Sequence, residues 1–470
     1  MRLSGPVASF AVYGVAIILM KGFSLISIPM VAWMLKPADF GELDLASSLV
    51  EFAALLSALG MTELMYRFCA SDGPGNRAAL ASLAGVAALA VLAVLATLQG
   101  LAGFLHAWAG LGVSDLAFRM ALAAASLTAL VETPLAWLRM RNRPATFLGF
   151  ILFRSLAQIG LVWIALSSGL GPSGVLIANA SVDLLLAGML ASLFLRENGI
   201  AFDGAMLRRL GVYGLPIVAS GLCMFALGTA DRWFIAGHVA RADMAQYAVA
   251  AKLSLATALV VQPFGLWWYP RRLALLASPG GKQANATAWL AGLAILAGGS
   301  VSVALAMPVF VTLALPATYA HALHWLPWLI LAIALNELVS LSNAGAYLGG
   351  TTFRVLAVNA TAALVALGLY ALLIPAMGLG GAIAATLAAQ MVRIAAFTAI
   401  SRRNAPIPLV SVSAAAIVAG ALIPMVSLPE NAGLPLTAAA TLAAPLLAFM
   451  AFRAARPDLL RERLNHASRA

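Results

Sequence analysis

Charge is scarce in this chain: Asp, Glu, Lys and Arg together make up 10% of its 470 residues. A soluble domain carries about 25%, so that class is excluded. Cysteine is nearly missing. The two present, Cys69 and Cys223, fall at the inner end of one apolar segment and in the middle of another. A disulfide between them is not expected, and no metal-ligand spacing exists. No G-x-x-x-x-G-K-[ST] loop occurs, so ATP-driven export has no support. No stretch is long and polar enough for a soluble domain, and most connectors have about the length of ordinary helix connections. The longest outer connector, 99–116, carries only His106 and Asp115. That is poor equipment for a membrane glycosyltransferase, polymerase or ligase, which needs acids or bases on a sizeable loop.

What the chain has in abundance is apolar sequence. Hydrophobic residues make up 63%, with a mean hydropathy of +0.98. Fourteen apolar segments can be read: 8–35, 42–66, 77–98, 117–138, 147–168, 174–195, 212–237, 245–269, 286–313, 326–349, 355–377, 380–400, 409–426 and 434–452. Each suits a membrane-spanning helix of roughly 20 residues. The first is too long for a signal peptide, carries Lys21 at its centre and lacks a small-residue cleavage site, so it is expected to be retained. The expected fold is an all-α polytopic membrane protein of about fourteen helices.

The cations are sorted by side. With the N-terminus inside, 20 of the 28 Lys and Arg residues fall on inner loops and tails. Lys36, Arg119 and Arg241 fall outside. Lys21, Arg154, Arg232, Lys252 and Arg393 lie within segments. This is the positive-inside pattern, and it accounts for the net charge of +11 without nucleic acid, since basic helix ends face anionic lipid heads. Both termini are expected to be cytoplasmic.

The chain also repeats. Val12-Tyr13-Gly14 recurs as Val212-Tyr213-Gly214. Ala38-Asp39-Phe40-Gly41 recurs loosely as Ala242-Asp243-Met244-Ala245, and the turn Gly171–Gly174 as Gly378–Gly381, at offsets of 200, 204 and 207. Six helices separate equivalent points, so the copies share one orientation. This predicts two pseudo-symmetric six-helix lobes, 1–205 and 206–404, with a binding site between them near the midplane. Two additional helices, 405–453, and a basic cytoplasmic tail, 454–470, complete the expected organisation.

Three stretches carry a family resemblance. The first two segments read "SFAVYGVAIILMKGFSLISIPMVAWMLKPADFGELDLASSLVEFAALLSALGMTELMYRF", the seventh and eighth "VYGLPIVASGLCMFALGTADRWFIAGHVARADMAQYAVAAKL", and the eleventh-to-twelfth turn "LLIPAMGLGGAIAAT". They resemble the multidrug/oligosaccharidyl-lipid/polysaccharide exporters, and within them the polysaccharide-transporter branch of Wzx-like flippases. The resemblance implies a MATE-like fold in a bacterial inner membrane. It implies movement of an undecaprenyl-pyrophosphate-linked oligosaccharide for polysaccharide, lipopolysaccharide, O-antigen or exopolysaccharide biosynthesis. Membrane lipids and the polymerase and ligase machinery of that pathway are the implied partners. No cofactor, metal or nucleic acid is expected. The drug-antiporter relatives commonly place a carboxylate in the first helix, where this chain has Lys21. A cation-coupled antiporter with Glu51, Asp183 or Glu337 as its ion site remains the alternative.

A charge in mid-membrane costs from about 2.5 to more than roughly 10 kcal/mol, so it needs a partner or water. Polar stripes at helical spacing (Lys21–Ser24–Ser27, Asp44–Ser48–Glu51, Arg154–Gln158, Asn179–Asp183) turn one face away from lipid. Depth suggests the pairs Lys21–Glu51, Glu132–Arg154 and Asp231–Lys252. Two readings stand side by side. These are ion pairs locking neighbouring helices, or Lys21, Arg154 and Lys252 meet an anionic headgroup, with Glu51, Glu132, Asp183, Asp231 and Glu337 as the acids of the cavity. Arg232, near the outer surface, reads as structural or gating. Arg393 is placed so that it can snorkel to the inner surface. Pro29, Pro134, Pro216 and Pro263 interrupt helix interiors and permit bends.

Overall fold

The structure, a computed structural model, describes residues 22, 26–69, 74–269, 271–276, 280–348, 353–404, 411–429 and 433–454. The described residues are overwhelmingly helical. The helices are α1 Pro37–Phe68, α2 Arg77–Trp108, α3 Asp115–Met140, α4 Pro144–Ser167, α5 Gly171–Asn198 and α6 Gly204–Gly228, followed by the short α7 Asp231–Ala236. Then come α8 Arg241–Trp268, α9 Gly281–Ala314, α10 Ala322–Ser342, α11 Phe353–Met377, α12 Leu379–Asn404, α13 Val412–Val426 and α14 Leu434–Ala454. Twelve of these are long and apolar enough to cross a membrane.

The sequence predicts fourteen, and the difference has two sources. Most of the first segment, including Lys21, lies outside the described residues; its end, residues 26–34, is helical. The thirteenth segment forms α13, which is shorter than the twelve spanning helices and falls below the roughly 20 residues that a 30 Å hydrocarbon layer needs at about 1.5 Å per residue.

Local chemistry explains where the helices start and bend. Pro37 and Pro144 occupy first-turn positions, where a missing N–H costs nothing. The Ser114 hydroxyl caps α3 by accepting the Ala117 N–H at 3.2 Å. Pro134 and Pro263 lie inside helices, as expected. Pro216 also lies inside a helix, α6, where a regular α-helical stretch, Leu215–Gly228, begins. The five residues before it, Leu210–Gly214, form a π-helical turn.

The chain forms two compact units, Met1–Ala245 and Gln246–Ala470. In the first, α3 packs on α1, α2 and α5, and α4 packs on α5. Met61, Leu64, Leu80, Leu83, Trp137, Leu190 and Phe194 belong to one apolar cluster in it. In the second, α9 packs on α13 and α14, α10 on α12, and α11 on α12. A Cβ on Gly298 of α9 would stand 2.6 Å from the Pro445 Cα of α14, so glycine is what lets these two helices touch. The packing boundary falls at 245/246, whereas the sequence repeat leads to an expected boundary at 205/206. α6 and α7 therefore pack with the helices that precede them.

The outward-facing side chains are apolar. Leu92, Phe104, Trp163, Leu364, Leu372 and Leu442 are each more than half exposed. A water-soluble protein rarely exposes so much contiguous apolar surface, and a bilayer requires it. The chain is a multi-pass membrane protein.

Candidate functional site

Four groups of polar side chains stand out among the described residues, three of them in the first unit. The first is a stripe along α1. Gly41, Asp44, Ser48 and Phe52 are three or four residues apart and share one face. That face meets α6 and α7. The Arg232 guanidinium donates through Nε to Asp44 Oδ2 at 3.2 Å and through Nη1 to Asp231 Oδ1 at 2.8 Å. All three residues are buried, at 8%, 4% and 3% exposure. One turn along, the Trp233 indole N–H donates to Ser48 Oγ at 3.0 Å. Next come the rings: Phe52 packs on Phe225 and Trp233 with centroids 5.2 and 5.1 Å apart.

The stripe ends in a clasp. Glu42 accepts from Arg241 Nε at 3.1 Å through one carboxylate oxygen and from the Gly112 N–H at 2.7 Å through the other. Arg241 also donates to the carbonyls of Ala236 and Ala109. The start of α1 is thereby tied to the α2–α3 and α7–α8 connections, and a Cβ on Gly41 would collide with the Arg241 carbonyl. Sequence reading found the stripe but missed its partners, which are 188 residues away for Asp44 and 199 for Glu42. Asp44 and Ser48 turn away from lipid as expected, toward α7; Glu51, in the same stripe, is exposed.

The second place is between α4 and α5. Arg154 donates from Nε to Asp183 Oδ1 at 2.9 Å and from Nη2 to Oδ2 at 3.3 Å, and Gln158 donates to the same Oδ1 at 3.4 Å. Both partners are half-buried. The expected partner of Arg154, Glu132, is not the one it takes. Arg154 and Asp183 lie on adjacent antiparallel helices in direct contact, and a two-point guanidinium–carboxylate contact is the stronger geometry. Glu132 stands half-buried on α3, with no ion pair among the described residues.

The third is the end of the first unit that the cation distribution assigns to the inner surface. Arg67 and Arg209 lie over the Phe68 and Tyr213 rings. Nearby, Arg143 and Glu197 form a two-point pair at 2.5 and 2.8 Å. Its hydrogen bonds raise the Arg143 guanidinium above its usual value.

The fourth lies in the second unit. Arg393 is 4% exposed. It donates to the amide oxygens of Asn359 at 3.1 Å, Asn336 at 2.8 Å and Gln390 at 2.8 Å. Snorkelling, expected from its position, does not occur, because amide oxygens from α10, α11 and α12 solvate the guanidinium where it stands. Glu337, beside Asn336, is half-buried on α10, and Lys252 is half-buried on α8. Arg272, four residues beyond α8, is also buried and donates to the Ser340 carbonyl at 2.8 Å. Burial pulls its guanidinium below the usual value. Among the described residues no group of three His, Cys, Asp or Glu side chains could hold a metal ion.

Comparison with known proteins agrees with this architecture. The model of a family described as "Polysaccharide biosynthesis protein" matches residues 7–272. No curated protein sequence matches the chain. Among solved structures, "Lipid II flippase MurJ, inward closed conformation" is similar at 12% identity over 96% of this chain and 99% of that one, with a TM-score of 0.67. An inward-facing "multidrug resistance MATE family transporter of the MOP superfamily" is 15% identical over 83% and 94%, with a TM-score of 0.62. The MATE multidrug transporter DinF-BH is 12% identical over 85% and 95%, with a TM-score of 0.57. At such identities the likeness is one of fold, the all-helical fold of these transporters.

Proposed function

Because the chain belongs to the polysaccharide biosynthesis protein family, we propose that it is a flippase for a lipid-linked oligosaccharide. It moves an undecaprenyl-pyrophosphate-linked sugar across the bacterial inner membrane during assembly of a polysaccharide such as O-antigen. It catalyses no covalent step. Its partners are the lipid-linked oligosaccharide, membrane lipids, and the polymerase and ligase that use the flipped product. The lipid tail stays in the bilayer while the sugar crosses through a hydrated path lined by polar side chains.

Family membership carries this reading, and the intramembrane cations supply its chemistry. Lys21, Arg154 and Lys252 are the proposed ligands for the pyrophosphate. Pairing with Asp183 does not remove Arg154 from this role. A guanidinium has five N–H donors in one plane, and Asp183 takes two of them. The remaining three stay available to a phosphate, with Asp183 fixing their direction. Glu51, Glu132, Asp231 and Glu337 are the acids that balance or position the cations of the path.

Transport proceeds by alternating access between lobes 1–205 and 206–404, with helices 405–453 as an appendix and both termini cytoplasmic. The parallel repeat supports this, as does the clasp of Glu42 and Arg241. Glu42 directly follows the outer turn 36–41 and Arg241 opens the equivalent turn 241–245 of the second copy, so their contact is the closed state of the outer gate. Opening separates α1 from α7 along the stripe Gly41–Phe52.

Deleting the gene in its host tests the reading. The surface polysaccharide should disappear and its lipid-linked precursor accumulate, with both restored by the wild-type chain. Unchanged precursor and polysaccharide levels would reject the proposal. Loss of dye efflux alone would favour the cation-coupled antiporter.

A further inference from the structure

Two irregularities meet at the inner end of the first unit. α1 breaks at Leu59 and Gly60, which are both left-handed, with φ of 51° and 64°. Leucine rarely adopts this conformation, and such strained residues cluster at functional sites. Opposite it, α6 widens into the π-helical turn Leu210–Gly214, another feature frequent at functional sites. The two breaks touch through backbone. A Cβ on Gly214 would stand 2.6 Å from the Leu59 carbonyl oxygen, and one on Gly60 would stand 3.2 Å from the Gly214 Cα.

Beyond this contact extend two short arms, Met61–Phe68 and Gly204–Arg209. The Phe68 and Tyr213 rings meet edge to face, 5.9 Å apart. Arg67 Cζ lies 4.8 Å from the Tyr213 centroid and 5.8 Å from that of Phe68. Arg209 Cζ lies 4.8 Å from the Phe68 centroid. Both arginines are exposed. Neither forms an ion pair among the described residues, although Glu63 stands one turn before Arg67 on the same helix. Aromatic faces, not acids, bring these two charges together. A guanidinium resting on a ring keeps its in-plane N–H donors free for a second ligand.

The internal repeat supplies a contrast. Arg272 stands 205 residues after Arg67, at the corresponding end of the second copy. It too lies over rings, those of Tyr269 and Tyr347 at 5.1 and 5.4 Å. Yet it is 7% exposed and spends a donor on the Ser340 carbonyl. In the second copy the arginine is a packing element. In the first copy it is open, and a second arginine has joined it.

We propose that Arg67 and Arg209, held on Phe68 and Tyr213, form a docking site for the diphosphate headgroup of a polyprenyl-linked lipid at the inner surface. The lipid's identity rests on the flippase reading. The site is distinct from the ligands proposed within the membrane and precedes them on the path. Two guanidiniums offer parallel donors to phosphoryl oxygens, and the rings exclude water from one side.

Equilibrium binding of tritiated farnesyl diphosphate to the full-length protein in phosphatidylcholine nanodiscs tests the proposal. Arg67→Gln and Arg209→Gln should each weaken binding about tenfold, as loss of a charged hydrogen bond implies. The double variant should lose about a hundredfold. Arg67→Lys should recover only part, since the ammonium keeps charge but not the planar fork. Arg453→Gln, an exposed arginine of the second unit, should bind as wild type does, and farnesol should not bind. Thermal unfolding of each variant checks that these exposed substitutions leave the fold intact. Wild-type affinity in the double variant would overturn the site, as would an equal loss in Arg453→Gln, which would mean diffuse surface charge. Displacement of the probe by phosphatidylglycerol at equal mole fraction would assign the site to bulk anionic phospholipid and overturn the polyprenyl assignment. Binding requires no transport. A protein that binds through Arg67 but flips nothing would refute the flippase reading and leave the site standing.

Discussion

Arg154 and Asp183 give the sharpest perturbation. They meet at two points, 2.9 and 3.3 Å, with side chains 32% and 26% exposed. That exposure lies between two known limits. Exposed ion pairs contribute about 0.2–1 kcal/mol, whereas removing one partner of a buried pair costs about 3–5 kcal/mol. Arg154→Gln and Asp183→Asn are each expected to destabilise the protein by about 1–3 kcal/mol. The double variant should lose less than the sum, with a coupling energy of about 1–2 kcal/mol. Unfolding in mixed micelles by sodium dodecyl sulfate titration measures all four proteins. Transport assayed on the same samples separates the two roles. If Arg154 binds phosphate, the double variant is stable but inactive. Full transport by the double variant would make the pair purely structural, and additive stabilities, with coupling below about 0.3 kcal/mol, would refute the pairing itself.

Three further outcomes follow from the geometry. Gly41→Ala drives a Cβ into the Arg241 carbonyl and should cost about 1–3 kcal/mol, as overpacking does, while raising outside labelling of a cysteine placed at the half-buried Val239. Unchanged stability and labelling would remove the clasp. Arg393→Leu deprives three amide oxygens of their donor and should cost about 3 kcal/mol at about 1 kcal/mol per bond; a loss under about 0.5 kcal/mol would mean that Asn336, Asn359 and Gln390 find other donors. The Cys69 thiol, pushed up to about 11 by burial against the opposing pull of Arg209, should be almost fully protonated at pH 8. In a Cys223→Ala background, maleimide should label Cys69 about two orders of magnitude more slowly than an ordinary cysteine. The rate should climb about tenfold per pH unit as pH rises toward 11, because the raised value disfavours thiolate below it. A rate equal to that of a free peptide thiol would contradict the burial.

The helices were legible because hydrophobic length is a strong and local signal. Twelve of the segments read from composition match apolar helices long enough to span, and even the glycine turn Gly378–Gly381 falls at a helix junction, with Gly378 at a φ of 57°. The polar stripe Asp44–Ser48 was visible for the same reason, since helical spacing is written in neighbouring residues. Partners were not. Depth along the chain paired Arg154 with Glu132, and only helix packing could reveal that α5 presents Asp183 to it. Arg232 bonds Asp44 across 188 residues, a separation at which sequence carries no register. Arg393 looked able to snorkel because the amides that hold it sit on two other helices besides its own. The π-helical turn at Tyr213 left no compositional trace, although the repeat Val-Tyr-Gly marked its position.

Reconstitution offers the most direct test. Purified protein in liposomes is supplied with an undecaprenyl-pyrophosphate-linked oligosaccharide in both leaflets, and an impermeant glycosidase is added outside. Without flipping, about half of the lipid-linked sugar is protected by the bilayer. The account predicts that the protected fraction falls toward zero with the wild-type chain, stays near half with Arg154→Gln, and needs no ATP. Protection that stays near half with folded wild-type protein would contradict the central claim.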